Sequence, residues 1–249
     1  MAHTLRTRFK KEIIAEFLPP AKKTKRARVV IICGGMPGLP SARRLVEFFS
    51  EKGFWAIYPR YRGSWESRGI FLRKSPEEDV RDIIDELPRG FTDLWSMKKY
   101  RVRPDELYVL ASSFGGPAGI LVSRDKRVKK VVAICPVVDW LAPSKTESLE
   151  FMEEFVPRAF GEGYRFGKKE WRKLSTGKFY NPVHHENEID GSKLFIIHAK
   201  DDDVVRFREV AQFAKNTGSK CKPLKRGGHL RMADTAMKYW PEIARFFRA

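Results

Sequence analysis

Cysteine is scarce in this chain: Cys33, Cys135 and Cys221 are the whole supply. An odd number argues against a disulfide framework and for reduced thiols in a cytoplasmic protein. Long apolar runs are missing too. The longest are strand-sized, well short of the roughly 20 residues that cross a bilayer, and the N-terminal stretch has no continuous apolar segment of the signal-peptide kind. Membrane insertion is therefore not expected. Also absent are zinc-finger spacing, an RNA-binding signature, the Walker lysine–hydroxyl ending and the full dinucleotide fingerprint. His184-His185 stand without a third partner at metal-binding spacing, so neither metal nor cofactor is expected.

Basic charge, by contrast, is abundant. Lys and Arg number 49 against 31 Asp and Glu, a formal net charge of +18. Such a charge attracts anions, nucleic acid or acidic lipid. The basic residues are nevertheless dispersed, from Arg6–Lys11 through Lys98–Arg103 to Lys220–Arg226. A charged, solvated surface accounts for that dispersal, and no specific nucleic-acid partner is expected; a non-enzymatic basic binding protein is the competing reading. Oligomeric state is left open.

Apolar patterning gives the fold class. Val29–Cys33, Phe54–Tyr58, Leu107–Leu110, Val131–Cys135 and Leu194–His198 read as buried parallel strands. Helical stretches alternate with them: Ala42–Glu51, a helix opened by Pro76, Val204–Asn216, and Met232–Phe247 interrupted by Pro241. Leu5–Phe17 adds one or two edge strands, and Thr92–Tyr100 continues a crossover. Alternation of this kind predicts one α/β domain over residues 1–249, with a mostly parallel sheet and helices on both faces. Residues 139–190 are too many for an ordinary crossover and read as a small cap insertion.

Leu107-Tyr-Val-Leu-Ala-Ser-Ser-Phe-Gly-Gly116 organises the rest. A buried strand runs into a small-x-Ser-x-Gly turn and then an apolar helix, the pattern of a nucleophile elbow. Close backbone approach demands small residues two positions either side of the serine. Ser113 has Ala111 and Gly115 there, whereas Ser112 would have Leu110 and Phe114. Ser113 is the candidate nucleophile. A base and an orienting acid are then required. Asp201-Asp-Asp203 follows the strand ending at His198, and His229 follows the last short strand. Asp202 is the candidate acid, with Asp201 and Asp203 in reserve, and His229 the candidate base. The amides of Phe114 and Met36, or alternatively Gly35, are the expected oxyanion donors.

These residues resemble the α/β-hydrolase superfamily, particularly stand-alone catalytic domains related to prolyl oligopeptidases and acylaminoacyl peptidases. The family's His-Gly-x-x-Asp-x-x-Val pattern corresponds to His198-Ala-Lys-Asp-Asp-Asp-Val-Val205, which places the acid on Asp202. Gly35-Met-Pro-Gly38 resembles the oxyanion loop and Tyr61-Arg-Gly-Ser64 the Arg-Gly loop after the second core strand. Departures are alanine at 111 and 199, and Gly34 where the family often has histidine. Acyl transfer to water through an acyl-enzyme follows, and a carboxylesterase acting on small to medium acyl esters is the leading expectation. A peptidase, acylaminoacyl hydrolase, lactonase or thioesterase is the alternative. Substrate contacts are expected from Arg62 and Trp65 in the Arg-Gly loop, and from Trp140, Phe151, Phe155, Phe160 and Trp171 in the insertion.

Overall fold

A computed structural model describes residues 4–249. Its centre is an eight-stranded sheet in the order β1-β2-β4-β3-β7-β8-β9-β10. The strands are β1 (Leu5–Phe9), β2 (Ile13–Leu18), β3 (Arg28–Cys33), β4 (Trp55–Pro59), β7 (Glu106–Ser112), β8 (Val128–Ile134), β9 (Leu194–Ala199) and β10 (Lys220–Leu224). β1 pairs with β2, and β2 with β4, antiparallel; from β4 to β10 every neighbour is parallel. The expected α/β-hydrolase architecture is thus present.

Parallel strands buried on both faces explain the continuous apolar runs. In β3, Val29, Ile31 and Cys33 face one layer while Val30 and Ile32 face the other. β7 repeats this, with Leu107, Val109 and Ala111 on the first side and Tyr108 and Leu110 on the second. Helices α2 (Pro76–Glu86), α3 (Gly115–Val122) and α6 (Phe207–Thr217) cover the first face. On the second lie α1 (Arg43–Glu51), α7 (Met232–Lys238) and α8 (Trp240–Arg248). β10 sits at the sheet edge, where Pro223 leaves no ladder donor missing.

Three details depart from expectation. Thr92–Tyr100 contains a two-stranded hairpin of β5 (Phe91–Thr92) and β6 (Lys99–Tyr100), closed by stacking of Phe91 on Tyr100 at 5.8 Å between centroids. The expected interruption of the closing helix falls at Tyr239, ahead of Pro241, which sits in the first turn of the second helix, where its missing N–H costs nothing. And α6 begins at Phe207 rather than Val204, because Asp202 Oδ1 accepts the N–H groups of Val204 and Val205, both at 2.9 Å. That turn holds the chain out of the helix for three residues. Between β8 and β9 the insertion folds into α4 (Leu149–Phe160), the short α5 (Lys168–Trp171) and several 3-10 turns. Among the described residues no helix is long and apolar enough to cross a membrane.

Candidate active site

The turn from β7 into α3 puts Ser113 at φ 49°, a left-handed conformation that non-glycine residues rarely adopt. Tight packing surrounds it. A Cβ on Gly115 would lie 2.4 Å from the Cys33 carbonyl oxygen, and one on Gly116 2.4 Å from Pro136 Cβ. The alanine at 111 is accommodated from the helix: a Cβ on Gly119 would stand 2.6 Å from Ala111 Cβ, so the glycine needed for strand–helix contact sits in α3. Gly119 lay inside an apolar helical run and gave no sequence signal of this role.

The glycine loop after β3 lies directly beside the serine. A Cβ on Gly35 would be 3.1 Å from Ser113 Cβ. Met36, Ser113 and Phe114 line one cavity of about 410 Å³. Several side chains strap the loop down. Tyr61 Oη donates to Gly34 O at 3.0 Å, Trp65 Nε1 donates to Gly38 O at 3.0 Å, and Gly38 N–H donates to Tyr164 Oη at 2.9 Å. Tyr180 Oη donates to Phe114 O at 2.7 Å and accepts from Ala118 N–H at 3.2 Å, tying the insertion to the start of α3.

The three acids after β9 have separate partners. Asp202, buried, accepts from His229 Nδ1 at 2.9 Å through Oδ2. Asp201 Oδ1 accepts the N–H of Gly228 at 2.9 Å, fixing the loop before His229, and Asp203 pairs with Lys145 Nζ at 2.6 Å. Burial by itself would push the Asp202 carboxyl up; hydrogen bonds from His198 and His229 outweigh it and hold the group well below the usual carboxylate range. His198 is fully buried, with Nε2 2.8 Å from Val205 O and 3.3 Å from Asp202 Oδ2. Since a carbonyl only accepts, Nε2 carries the proton. Ser113 and His229 line a second cavity of about 850 Å³. Ser113 Oγ makes no hydrogen bond to any described residue in this conformation, as is common before substrate closes a site.

Of the expected substrate contacts, Trp140 and Trp171 line the 410 Å³ cavity. The others do not. Arg62 is corrected to a framework residue: its guanidinium is occupied by Glu12, Asp79 and Asp82. Trp65 braces the glycine loop and packs on Tyr164 at 6.2 Å. Phe151 and Phe155 stack on one another at 5.3 Å on the outer face of α4, and Phe160 packs against Phe155 and Tyr164. The i,i+4 spacing of 151 and 155 does put them on one helix face, but that face is the solvent side; Met152 and Val156 are the buried pair. Glu147, Met152, Val205 and Arg206 line the cavity and were not anticipated, because contact between the insertion and the α6 loop is invisible in either segment alone.

One group of metal-ligand type exists among the described residues: Cys135, His198 and Asp202 lie within 4.8 Å of one another. Burial first, and Asp202 next, push the Cys135 thiol up to about 12 in the metal-free protein, where it is a neutral thiol. His185 is engaged at the surface, its Nδ1 3.0 Å from Glu188 Oε1 and 2.9 Å from Arg124 Nη1.

Comparison with known proteins agrees with this geometry. The prolyl oligopeptidase family model matches residues 40–234. No curated protein matches the chain by sequence. Among solved structures, the esterase Pf2001 of Pyrococcus furiosus superposes with TM-score 0.70 at 17% identity, covering 99% of this chain and 90% of that one. The acylaminoacyl peptidase of Pyrococcus horikoshii gives TM-score 0.68 at 18% identity; the match covers 99% of this chain but 41% of the peptidase. Est1E from Butyrivibrio proteoclasticus gives 0.65 at 14% identity, with 99% of both chains covered. With its α/β-hydrolase sheet, its Ser113 turn and a family match running from residue 40, just past the glycine loop, to residue 234 in α7, the chain belongs to the prolyl oligopeptidase family and is a serine hydrolase.

Proposed function

We propose that Ser113, His229 and Asp202 form the catalytic triad of a carboxylesterase acting on small to medium acyl esters. The observation that carries this reading is the hydrogen bond at 2.9 Å from the partly exposed His229 to the buried Asp202, beside a cavity that His229 shares with a left-handed Ser113. His229 takes the Ser113 proton as Oγ attacks the ester carbonyl. Asp202 holds the imidazole with Nδ1–H toward the carboxylate, so Nε2 is the atom that accepts. The amides of Phe114 and Met36 receive the developing oxyanion, Gly35 being the alternative donor in the loop. The imidazolium then protonates the departing alcohol, and the same histidine activates water to release the acid.

The insertion of residues 139–190 acts as a cap: Trp140 and Trp171 wall the acyl side of the serine. Esterase rather than peptidase action is supported by the likeness to the esterase Pf2001, 90% of whose length the match covers. Cys33, Cys135 and Cys221 are all free thiols, which supports a reducing, cytoplasmic setting. A fluorophosphonate probe tests the centre. Wild type labels at the peptide carrying Ser113 and hydrolyses short acyl esters; an unlabelled, folded wild type would refute the reading.

A further inference from the structure

Glu147 lines both cavities, and both are lined by Ser113. Its segment is held in place. The Glu147 N–H donates to Ser144 Oγ at 3.0 Å. Next to it, Lys145 is fastened to the acid loop, by its N–H to Asp203 O at 3.1 Å and by Nζ to Asp203 Oδ1 at 2.6 Å. The Glu147 carboxylate, however, makes no hydrogen bond or ion pair with any described residue. Arg206 lines one of the cavities and Arg231 the other, and neither pairs with it. Desolvation at the cavity wall raises its carboxyl above the ordinary range; the approach of His229 opposes the rise and Asp202 adds to it. An anchored carboxylate, exposed to solvent and without a partner among the described residues, therefore lines the same two cavities as Ser113. Within a chain of net charge +18, it makes this spot locally suited to a cation.

We propose that Glu147 selects acyl groups bearing a protonated α-amine, so that the substrates are esters of free amino acids. This rests on the esterase reading above and narrows it. In an aminoacyl ester the ammonium is on the carbon bonded to the scissile carbonyl, so it must lie close to Ser113 whenever that carbonyl does. The side chain then enters the cavity walled by Trp140 and Trp171, while the alcohol leaves through the other. Hydrolysis itself is unchanged: Ser113 Oγ bonds to the carbonyl carbon, the ester C–O bond breaks, His229 supplies the proton to the alcohol, and water releases the amino acid.

Three methyl esters on one skeleton test the proposal: phenylalanine, N-acetylphenylalanine and 3-phenylpropanoate. Wild type is expected to favour free phenylalanine ester over the des-amino ester by about tenfold in kcat/KM, the value of one modest ionic contact. Glu147→Gln should remove most of that preference, and Glu147→Asp should restore part of it. Equal kcat/KM for the amino and des-amino esters in wild type would overturn the proposal. So would an equal loss on all three esters in Glu147→Gln, which would mean the carboxylate acts on His229 instead. Fluorophosphonate labelling at Ser113, measured in parallel, separates this failure from failure of the esterase reading: labelling with no amine preference rejects the Glu147 role alone, and absence of labelling rejects both.

Discussion

The elbow and the insertion above it face each other across one cavity, yet they are built on opposite terms. At the elbow, the glycines at 115, 116 and 119 each touch a neighbour that a single methyl would strike. The chain there has one way to run. The insertion has short helices, 3-10 turns and an α4 whose Phe151 is half exposed. It is anchored at discrete points: Trp140 Nε1 donates to Tyr180 O at 2.6 Å, and Lys145 grips Asp203. Close backbone contact therefore makes the elbow intolerant of change, whereas the insertion, proposed above to choose the substrate, is free to vary between anchors. Effects of substitution should be near all-or-none on one side and graded on the other.

The sharpest division is expected at the nucleophile. Ser113→Ala should abolish probe labelling and nearly all turnover, while Ser112→Ala remains reactive; persistent labelling of the same peptide in the Ser113 variant would break the assignment. Next comes the acid. Asp202→Asn should lower kcat by about 10³–10⁴, through loss of the acceptor that sets the His229 tautomer. Asp201→Asn, which disturbs only the Gly228 contact, should cost far less under saturating substrate.

Framework substitutions on the elbow side should appear as stability. Burial pushes the Asp79 carboxyl up to about 6 even with Arg62 bonded to it. Arg62→Ala would strand that buried charge at a cost of about 3–5 kcal/mol. The sign with pH follows: a carboxylate whose folded pKa is raised destabilises the fold when ionised, so this variant should regain stability as pH falls from about 7 toward 5. Denaturant midpoints at the two pH values check it; a variant less stable at the lower pH would contradict the account. Selectivity toward acidic esters should not change, since Arg62 lines neither cavity described at Ser113. Gly116→Ala should cost about 1–3 kcal/mol through overpacking against Pro136, read as a drop in midpoint.

The smallest effects belong to the insertion. Trp140→Ala should shift relative kcat/KM across a series of acyl chain lengths, whereas Phe151→Ala on the outer face of α4 should move every ester by less than about twofold. A uniform shift in Trp140→Ala would mean that the insertion stabilises itself without choosing the acyl group.

The sheet, its helices and the positions of Ser113 and the acid and histidine loops were legible in sequence because each depends on short-range physics. Short continuous apolar runs mark the buried strands, proline marks helix starts, and the small residues around Ser113 record a steric limit that acts within five residues. Of the three adjacent carboxylates, Asp202 was singled out by the resemblance of the His198–Val205 segment, but the partners of Asp201 and Asp203 were not legible. The paths of the 228–229 and 145 segments decide them. The same holds for Arg62, a candidate substrate contact in sequence that three carboxylates claim in the fold, and for Phe151 and Phe155, whose helix turns them outward. Gly119 and Glu147 complete the contrast: one supplies clearance to a strand and the other a charge on the cavities that Ser113 lines, across 8 and 34 positions of chain respectively. Sequence alone determined which chemistry this protein carries, because an elbow, an acid and a base are local patterns. Tertiary structure decided which side chains surround that chemistry, because the cavity is assembled from segments whose proximity no local pattern encodes.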